Sequence, residues 1–320
     1  MNENCQVSSL NFTTHSIILL LEEEHQDFVR YAKDLYELFV PLGKAFEILV
    51  VANGTGGFLR EQLPGLKKLN SHLKAFEFPT KTSQAVCLKA ALNHAGGKIL
   101  VVCGSYQQIS DSSLMKVVQS LDGATDIVTP WRQKRVDPSF NQLQSRVFNF
   151  ISNRITGSSL HDLSCTVKVF RREVLEETEL YGNMYRFLPI LAARKGFKTK
   201  EVPCEHHQER GKTGFYSASE YITRVIDIFT LYFNTRFTKK PLRFFSSIGF
   251  AFVLCGLMLN LFLVIQRFLF EVPIGNRPLL FVGLLLLILG VLVASVGLLG
   301  EIIAFSNGRN KKEYTVEKEI

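Results

Sequence analysis

The chain has 320 residues, of which 47% are hydrophobic, and a formal net charge of +8. That length holds one large soluble domain together with a membrane part, and the basic balance suits anionic lipid or phosphorylated substrates. Nucleic acid is not expected as a partner, because zinc-finger, RNA-recognition and helix-turn-helix patterns are missing. The six cysteines are scattered without a C-x-x-C pair, which predicts reduced, mostly buried thiols.

Residues 1–14 are polar and read as a flexible N-terminus without the basic and apolar regions of a signal peptide. From there strands and helices alternate. Ser16–Leu21 is predicted as a strand, Gln26–Leu42 as an amphipathic helix and Phe46–Val51 as a second strand ending in the turn-rich string Asn53-Gly54-Thr55-Gly56-Gly57. Leu73–Phe78 reads as a strand, Ser83–His94 as a helix and Lys98–Cys103 as a strand. Asp111–Leu121 reads as a helix capped by Ser110, and Asp126–Thr129 as a further strand. This alternation predicts an α/β domain with a mainly parallel sheet covered by helices on both faces. Ligands of such sheets bind at the carboxyl ends of the strands, so chemistry is expected after Leu21, Val51 and Cys103.

The second part of the chain has a different character. Tyr221, Ile222, Val225, Ile226, Phe229, Phe233 and Phe237 recur at helical spacing, so 217–240 reads as an amphipathic helix, either on a membrane surface or packed on the soluble domain. Residues 244–269 and 279–305 are each long and apolar enough to span a bilayer. Arg236, Lys239, Lys240, Arg243, Arg309, Lys311 and Lys312 flank the outer ends, against Arg267 and Arg277 in the connecting loop. This asymmetry places both termini, the soluble domain and the basic tail 306–320 in the cytoplasm. Glu301 lies near the cytoplasmic end of the second span, where a structural role is favoured. Gly283, Gly290, Gly297 and Gly300 offer a small-residue face, for self-association into a homo-oligomer or for lipid.

Several strings resemble family 2 glycosyltransferases of the polyprenyl-phosphate type, relatives of dolichyl-phosphate mannose synthase. They are Cys165–Leu175 (C-T-V-K-V-F-R-R-E-V-L), Tyr181–Phe197 with its R-F-L-P-I-L-A-A-R-K-G core, and Glu201–Tyr216 (E-V-P-C-E-H-H-Q-E-R-G-K-T-G-F-Y). Lys240–Phe245 and Gly297–Ile302 match the entry to and exit from the membrane. The resemblance implies a GT-A fold over 15–216 and transfer of a sugar from a nucleotide sugar to a polyprenyl (undecaprenyl or dolichyl) phosphate. It also implies a magnesium or manganese ion held by a D-x-D motif against the leaving diphosphate. On the same ground Arg132, Arg146, Arg210 and Lys212 are expected to bind the acceptor phosphate, for which arginine's planar fork is suited. Asp162 falls at the family's acidic position ahead of its F-R-R strand, where a catalytic base or orienting carboxylate is expected.

The donor side departs from that pattern. The family's D-D-G-S-x-D is here Ala52–Gly57 (A-N-G-T-G-G), and its D-A-D-L-Q is Cys103–Gln107 (C-G-S-Y-Q). The donor-site positions Asn53, Cys103 and Ser105 are thus neutral, and the metal ligands the family would use are missing. Two readings follow. One is an active transferase with an altered donor site. The other is an inactive relative acting as partner or regulator of an active homologue, or as a binder of lipid phosphate.

Overall fold

A computed structural model describes residues 15–24, 27–42, 46–69, 73–133, 139–207, 218–236, 241–270 and 278–308. It divides into two units, residues 1–228 with 314–320, and residues 229–313.

In the first unit the chain runs β1 (His15–Leu21), α1 (Phe28–Phe39), β2 (Phe46–Asn53), α2 (Phe58–Leu69), β3 (Lys74–Phe78), α3 (Gln84–His94), β4 (Ile99–Cys103) and α4 (Asp111–Gln119). There follow β5 (Ile127–Gln133), α5 (Ser139–Thr156), β6 (Lys168–Arg171), α6 (Arg172–Glu177), α7 (Leu188–Arg194), β7 (Thr199–Glu205) and α8 (Ala218–Arg236), whose last turns pass into the second unit. The strands form one sheet in the order β3-β2-β1-β4-β6-β5-β7. All neighbours are parallel except β6, which runs antiparallel to both β4 and β5. The expected α/β class with a mainly parallel sheet is therefore present.

β1 sits centrally and is buried along its whole length, as its unbroken run Ile17 to Leu21 requires. Alternate residues feed two cores: Ile17, Leu19 and Leu21 pack with α1 on one face, and Ile18 and Leu20 pack with α3 on the other. β2 and β4 flank β1 on opposite sides, with Leu21 in register with Ala52 and Leu19 with Cys103. Consecutive crossovers diverge there, and such a switch point opens a crevice at the carboxyl edge.

Two elements differ from the sequence reading. α2 contains Pro64-Gly65, a turn signal in isolation. In the fold, Gly65 faces α1 so closely that a Cβ would lie 3.3 Å from Val29 Cγ1. β5 runs on to Gln133, past the expected end at Thr129, because pairing with β7 continues from Ile127 opposite Thr199 to Gln133 opposite Glu205. Pro130, which lacks a ladder donor, is tolerated because β6 pairs with β5 only at Ile127 and Val128.

At the amino edge of the sheet Glu47 is held by three donors: Ser16 Oγ at 2.7 Å, Lys74 Nζ at 2.8 Å and Gly96 N at 2.5 Å. Burial by itself would raise its carboxyl pKa, but those three bonds outweigh it and hold the group below its ordinary value. Ser16 Oγ in turn accepts from Gly97 N, whose missing side chain lets it approach the Ser16 backbone.

The second unit contains α9 (Pro241–Phe270) and α10 (Pro278–Gly308). Both are long and apolar enough to cross a membrane, with mean hydropathies of 2.6 and 3.0 over their most apolar windows. Those windows are only 17% and 11% buried, whereas a core helix of a soluble protein would be mostly buried. The protein is a membrane protein.

The glycine face has a partner within the chain. A Cβ on Gly249 would fall 2.6 Å from Gly290 O, and one on Gly256 would fall 2.8 Å from Gly283 O. Gly297 and Gly300 face Phe245 and Pro241. The expectation that Gly283, Gly290, Gly297 and Gly300 serve self-association or lipid contact is corrected: they let α9 and α10 approach each other. Glu301 accepts a hydrogen bond from Leu242 N at 3.2 Å, satisfying a donor in the first turn of α9.

Candidate active site

The donor-side turn begins where β2 ends. Asn53 is buried, and its amide is fully engaged: Nδ2 donates to Thr82 O at 2.8 Å and Oδ1 accepts from Thr82 N at 2.7 Å. Asn53 therefore pins the segment leading into α3. Gly54 has φ +67°, and a Cβ there would stand 2.4 Å from Lys81 N, so only glycine fits. Gly57 N and Arg60 Nε both donate to Glu77 on β3, closing the loop on itself. The Thr55 hydroxyl is buried without a partner among the described residues.

At the end of β4, Cys103 is fully buried and its thiol is pushed up to about 12, chiefly by desolvation. Ser105 is also buried. Gln108 ties this loop to the strand beside it: its Oε1 accepts from Thr166 N at 2.8 Å and from Cys165 Sγ, while its Nε2 donates to the Tyr106 hydroxyl at 3.1 Å. Asp111, the nearest downstream carboxylate, accepts from Gln107 Nε2 at 2.7 Å. Burial and then Asp34 raise its pKa. Hard divalent cations need several charged or carbonyl oxygens converging at about 2 Å. A neutral buried thiol and a serine hydroxyl do not supply them, and no cluster of three or more His, Cys, Asp or Glu suited to a metal occurs among the described residues. The residues present at the D-x-D position do not fit magnesium or manganese.

Charge collects on the other side of β4. Arg132 near the end of β5 and Asp162 lie thirty residues apart and meet in a buried ion pair. Arg132 Nε donates to Asp162 Oδ2 at 2.7 Å, and its second guanidinium nitrogen reaches Oδ1 at 3.2 Å and the Ser164 hydroxyl at 2.9 Å. Ser164 gives Asp162 Oδ1 two further bonds, from its backbone N and its hydroxyl. Glu201 on β7 accepts from the backbone N of both His161 and Asp162, and its other oxygen meets His161 Nδ1 at 2.7 Å. The His161 ring stacks on Trp131 at 4.2 Å. Asp162 thus spends its oxygens on Arg132 and Ser164, an arrangement that orients Arg132.

Of the other expected phosphate-binding residues, Arg146 is exposed on α5, next to the buried Ser145. Arg210 and Lys212 lie outside the described residues.

Sequence reasoning missed the most deeply buried cation among the described residues. Lys168 is the first residue of β6 and is 0% exposed. Its ammonium donates to Cys165 O at 2.5 Å and lies 4.7 Å from the centre of the Tyr185 ring. Desolvation lowers its pKa to about 8. The available signal was a lysine inside the apolar strand run Val167-Lys168-Val169-Phe170, where an unpaired charge is costly and needs a reason.

Comparison with known proteins gives this geometry a setting. Residues 27–178 match the family model described as Glycosyl transferase family 2. A dodecaprenyl-phosphate galacturonate synthase of Rhizobium johnstonii is 25% identical over 294 residues, covering 90% of this chain and 87% of that protein. An undecaprenyl-phosphate 4-deoxy-4-formamido-L-arabinose transferase of Yersinia pestis is 26% identical over 283 residues, covering 87% and 85%. Among solved structures, M. tuberculosis glucosyl-3-phosphoglycerate synthase superposes with a TM-score of 0.53 at 12% identity, over 69% of this chain and 80% of that one. The likeness to that structure concerns the fold alone, which is GT-A.

Proposed function

We propose that this chain, which carries a family 2 glycosyltransferase domain of GT-A fold, transfers a sugar from a nucleotide sugar to a polyprenyl phosphate at the cytoplasmic face of a membrane. The observation that carries the reading is the extent of the similarity. The Rhizobium relative, named for a polyprenyl-phosphate product, aligns over 90% of the chain, so the alignment takes in more than the sheet domain. The orientation rests on the seven basic residues at the outer helix ends against two in the loop.

In this reading a phosphate oxygen of the lipid attacks the anomeric carbon of the sugar, and the nucleoside diphosphate leaves. The switch point beside β1 receives the nucleotide sugar. Arg146, Arg210 and Lys212 are the residues taken to bind the acceptor phosphate, with Arg132 aimed by Asp162. Asp162 acts as a positioning residue, because its oxygens are already bonded. No step is routed through a divalent ion. Helix α8 lies at the membrane surface: Ile222, Val225 and Ile226 recur at helical spacing and are 56–66% exposed, which a helix packed on the domain by that stripe would not leave.

The neutral donor edge, with Asn53 and Gln108 closed on protein partners, favours a second reading. The chain would then be an inactive relative that binds lipid phosphate or assists an active homologue. One reconstitution separates the two. The full chain in lipid vesicles is incubated with a polyprenyl phosphate and a panel of nucleotide sugars, and lipid-linked sugar is counted. Product formation supports the transferase. Lack of product with every donor, together with lipid-phosphate binding or co-purification of an active homologue, sinks it in favour of the second reading.

A further inference from the structure

We propose that the cavity beside Lys168 is a metal-independent binding site for phosphate oxygens, in which the buried ammonium supplies the positive charge that the neutral end of β4 cannot gather from a cation. The inference rests on the transferase reading for the identity of its ligand, a diphosphate or a lipid phosphate, but not for the existence of the site.

The placement comes from the sheet. β6 runs antiparallel to β4, with Lys168 in register with Val102, one residue before Cys103. The ammonium therefore enters the carboxyl edge beside the position where the polyprenyl-phosphate transferases carry D-x-D. Next to it is a cavity of about 80 Å³ lined by Ser145, Ser164, Thr166, Lys168, Tyr185 and Arg186, among others. A single water needs roughly 10–15 Å³ of such space, so the cavity admits a group of several atoms.

The lining is suited to an oxyanion. Lys168 uses one of its three N–H donors, on Cys165 O, and forms no ion pair among the described residues. Its remaining contact is the Tyr185 ring, fixed by a hydrogen bond from the Tyr185 hydroxyl to Thr166 O at 2.9 Å. The other cations nearby are engaged with carboxylates: Arg132 with Asp162, and Arg186 with Asp227 at 3.3 Å. The Ser145 and Ser164 hydroxyls stand 3.4 Å apart at the same cavity, and Ser164 gives its proton to Asp162 Oδ1. A fully buried ammonium without an anionic partner costs stability, and a fold retains it where a ligand supplies the counter-charge.

Proton linkage gives the site a signature. The groups that set the Lys168 charge are Cys165 and Asp162 from the preceding loop, Arg132 from β5, and Arg186 with Tyr185 from the segment before α7. Desolvation outweighs them and puts the pKa at about 8, so an anion held by the ammonium is released as pH rises through that value.

The test uses the full chain in detergent micelles with EDTA present. Calorimetry is run with inorganic pyrophosphate, as the stand-in for a nucleotide diphosphate, and with a short-chain polyprenyl phosphate for the lipid. Both are run on the wild type and on Lys168→Met. The expected result is metal-free binding of at least one probe, weakened tenfold or more by the substitution. The arm that loses more identifies the ligand. A second measurement covers the case in which Lys168→Met does not fold. Binding of sulfate, whose charge is constant in this range, should fall about tenfold in the wild type between pH 7 and pH 9, following the protonated fraction of a group of pKa about 8. No binding without added manganese, or equal affinity in a folded Lys168→Met chain, or a flat sulfate profile, overturns the proposal. Metal-free, Lys168-dependent binding without sugar transfer leaves the site standing and removes the transferase. Transfer that persists in EDTA with Lys168→Met does the reverse.

Discussion

The two halves of the sheet's carboxyl edge solve opposite electrostatic problems. Beyond β2, the turn Asn53–Gly57 carries no charged side chain and is closed on protein partners: Asn53 on Thr82, Gly57 on Glu77. Across β4, β5 and β6 bury an arginine, bonded to Asp162 and Ser164, and a lysine, bonded to Cys165 O. A site that binds phosphates needs positive charge from somewhere, and in the proposed reading the protein's own buried cations supply it. The difference teaches that losing metal-ligating carboxylates does not by itself leave a GT-A edge without charge for an anion.

The comparison can be broken most sharply on the charged half. Asp162→Ala leaves Arg132 buried without its carboxylate, and removing one partner of such a pair costs about 3–5 kcal/mol. Thermal unfolding of the detergent-solubilised chain should show the largest fall in midpoint of any single change proposed here. An Asp162→Ala chain as stable as the wild type would mean that Arg132 is not held as described.

On the neutral half the expected effect is smaller. Asn53→Ala strands the backbone N–H and C=O of Thr82, worth about 1–3 kcal/mol. Urea denaturation checks it. If Asn53→Ala is neutral for stability yet abolishes nucleotide binding, the residue contacts ligand, and the contrast between the two halves fails.

The amino edge supplies a control far from either half. The Glu47 carboxyl is held below its ordinary value of 4.5, so its stabilising contribution is present above that pH and is lost as pH falls through the lowered folded value. Unfolding midpoints should therefore drop on acidification below about pH 4.5 more steeply in the wild type than in Glu47→Gln. Equal slopes would remove Glu47 as the cause.

The smallest expected effect is that of metal. Manganese at millimolar concentration should leave the unfolding midpoint of the wild type unchanged. A site filled at a hundredfold excess over its dissociation constant would add about 2.7 kcal/mol, which is readily seen. A clear upward shift would restore the metal-dependent picture.

Much of the architecture was readable before any coordinates. The strand Ile17 to Leu21, the helix ending at His94 and the cap on Ser110 follow from local pattern, and Ser110 Oγ does accept from Ser113 N. The site was less legible. The neutral residues at 53, 103 and 105 could be named from the resemblance, but their hydrogen-bond partners could not. Lys168 was passed over because a lysine in a strand reads as surface charge unless both faces of that strand are known to be covered.

The sequence by itself determined the α/β class, the mainly parallel sheet and two membrane-length helices, because these depend on periodicity and run length along a contiguous stretch. Only the tertiary structure decided where the charges went. The antiparallel insertion of β6 between β4 and β5 sets Lys168 beside Val102, and the return of the chain after α5 brings Asp162 to Arg132. The glycines of α10 likewise reveal their purpose only against Gly249 and Gly256 of α9. These pairings join residues far apart in the chain, and their energy lies in burial and counter-charge, which local propensity does not encode.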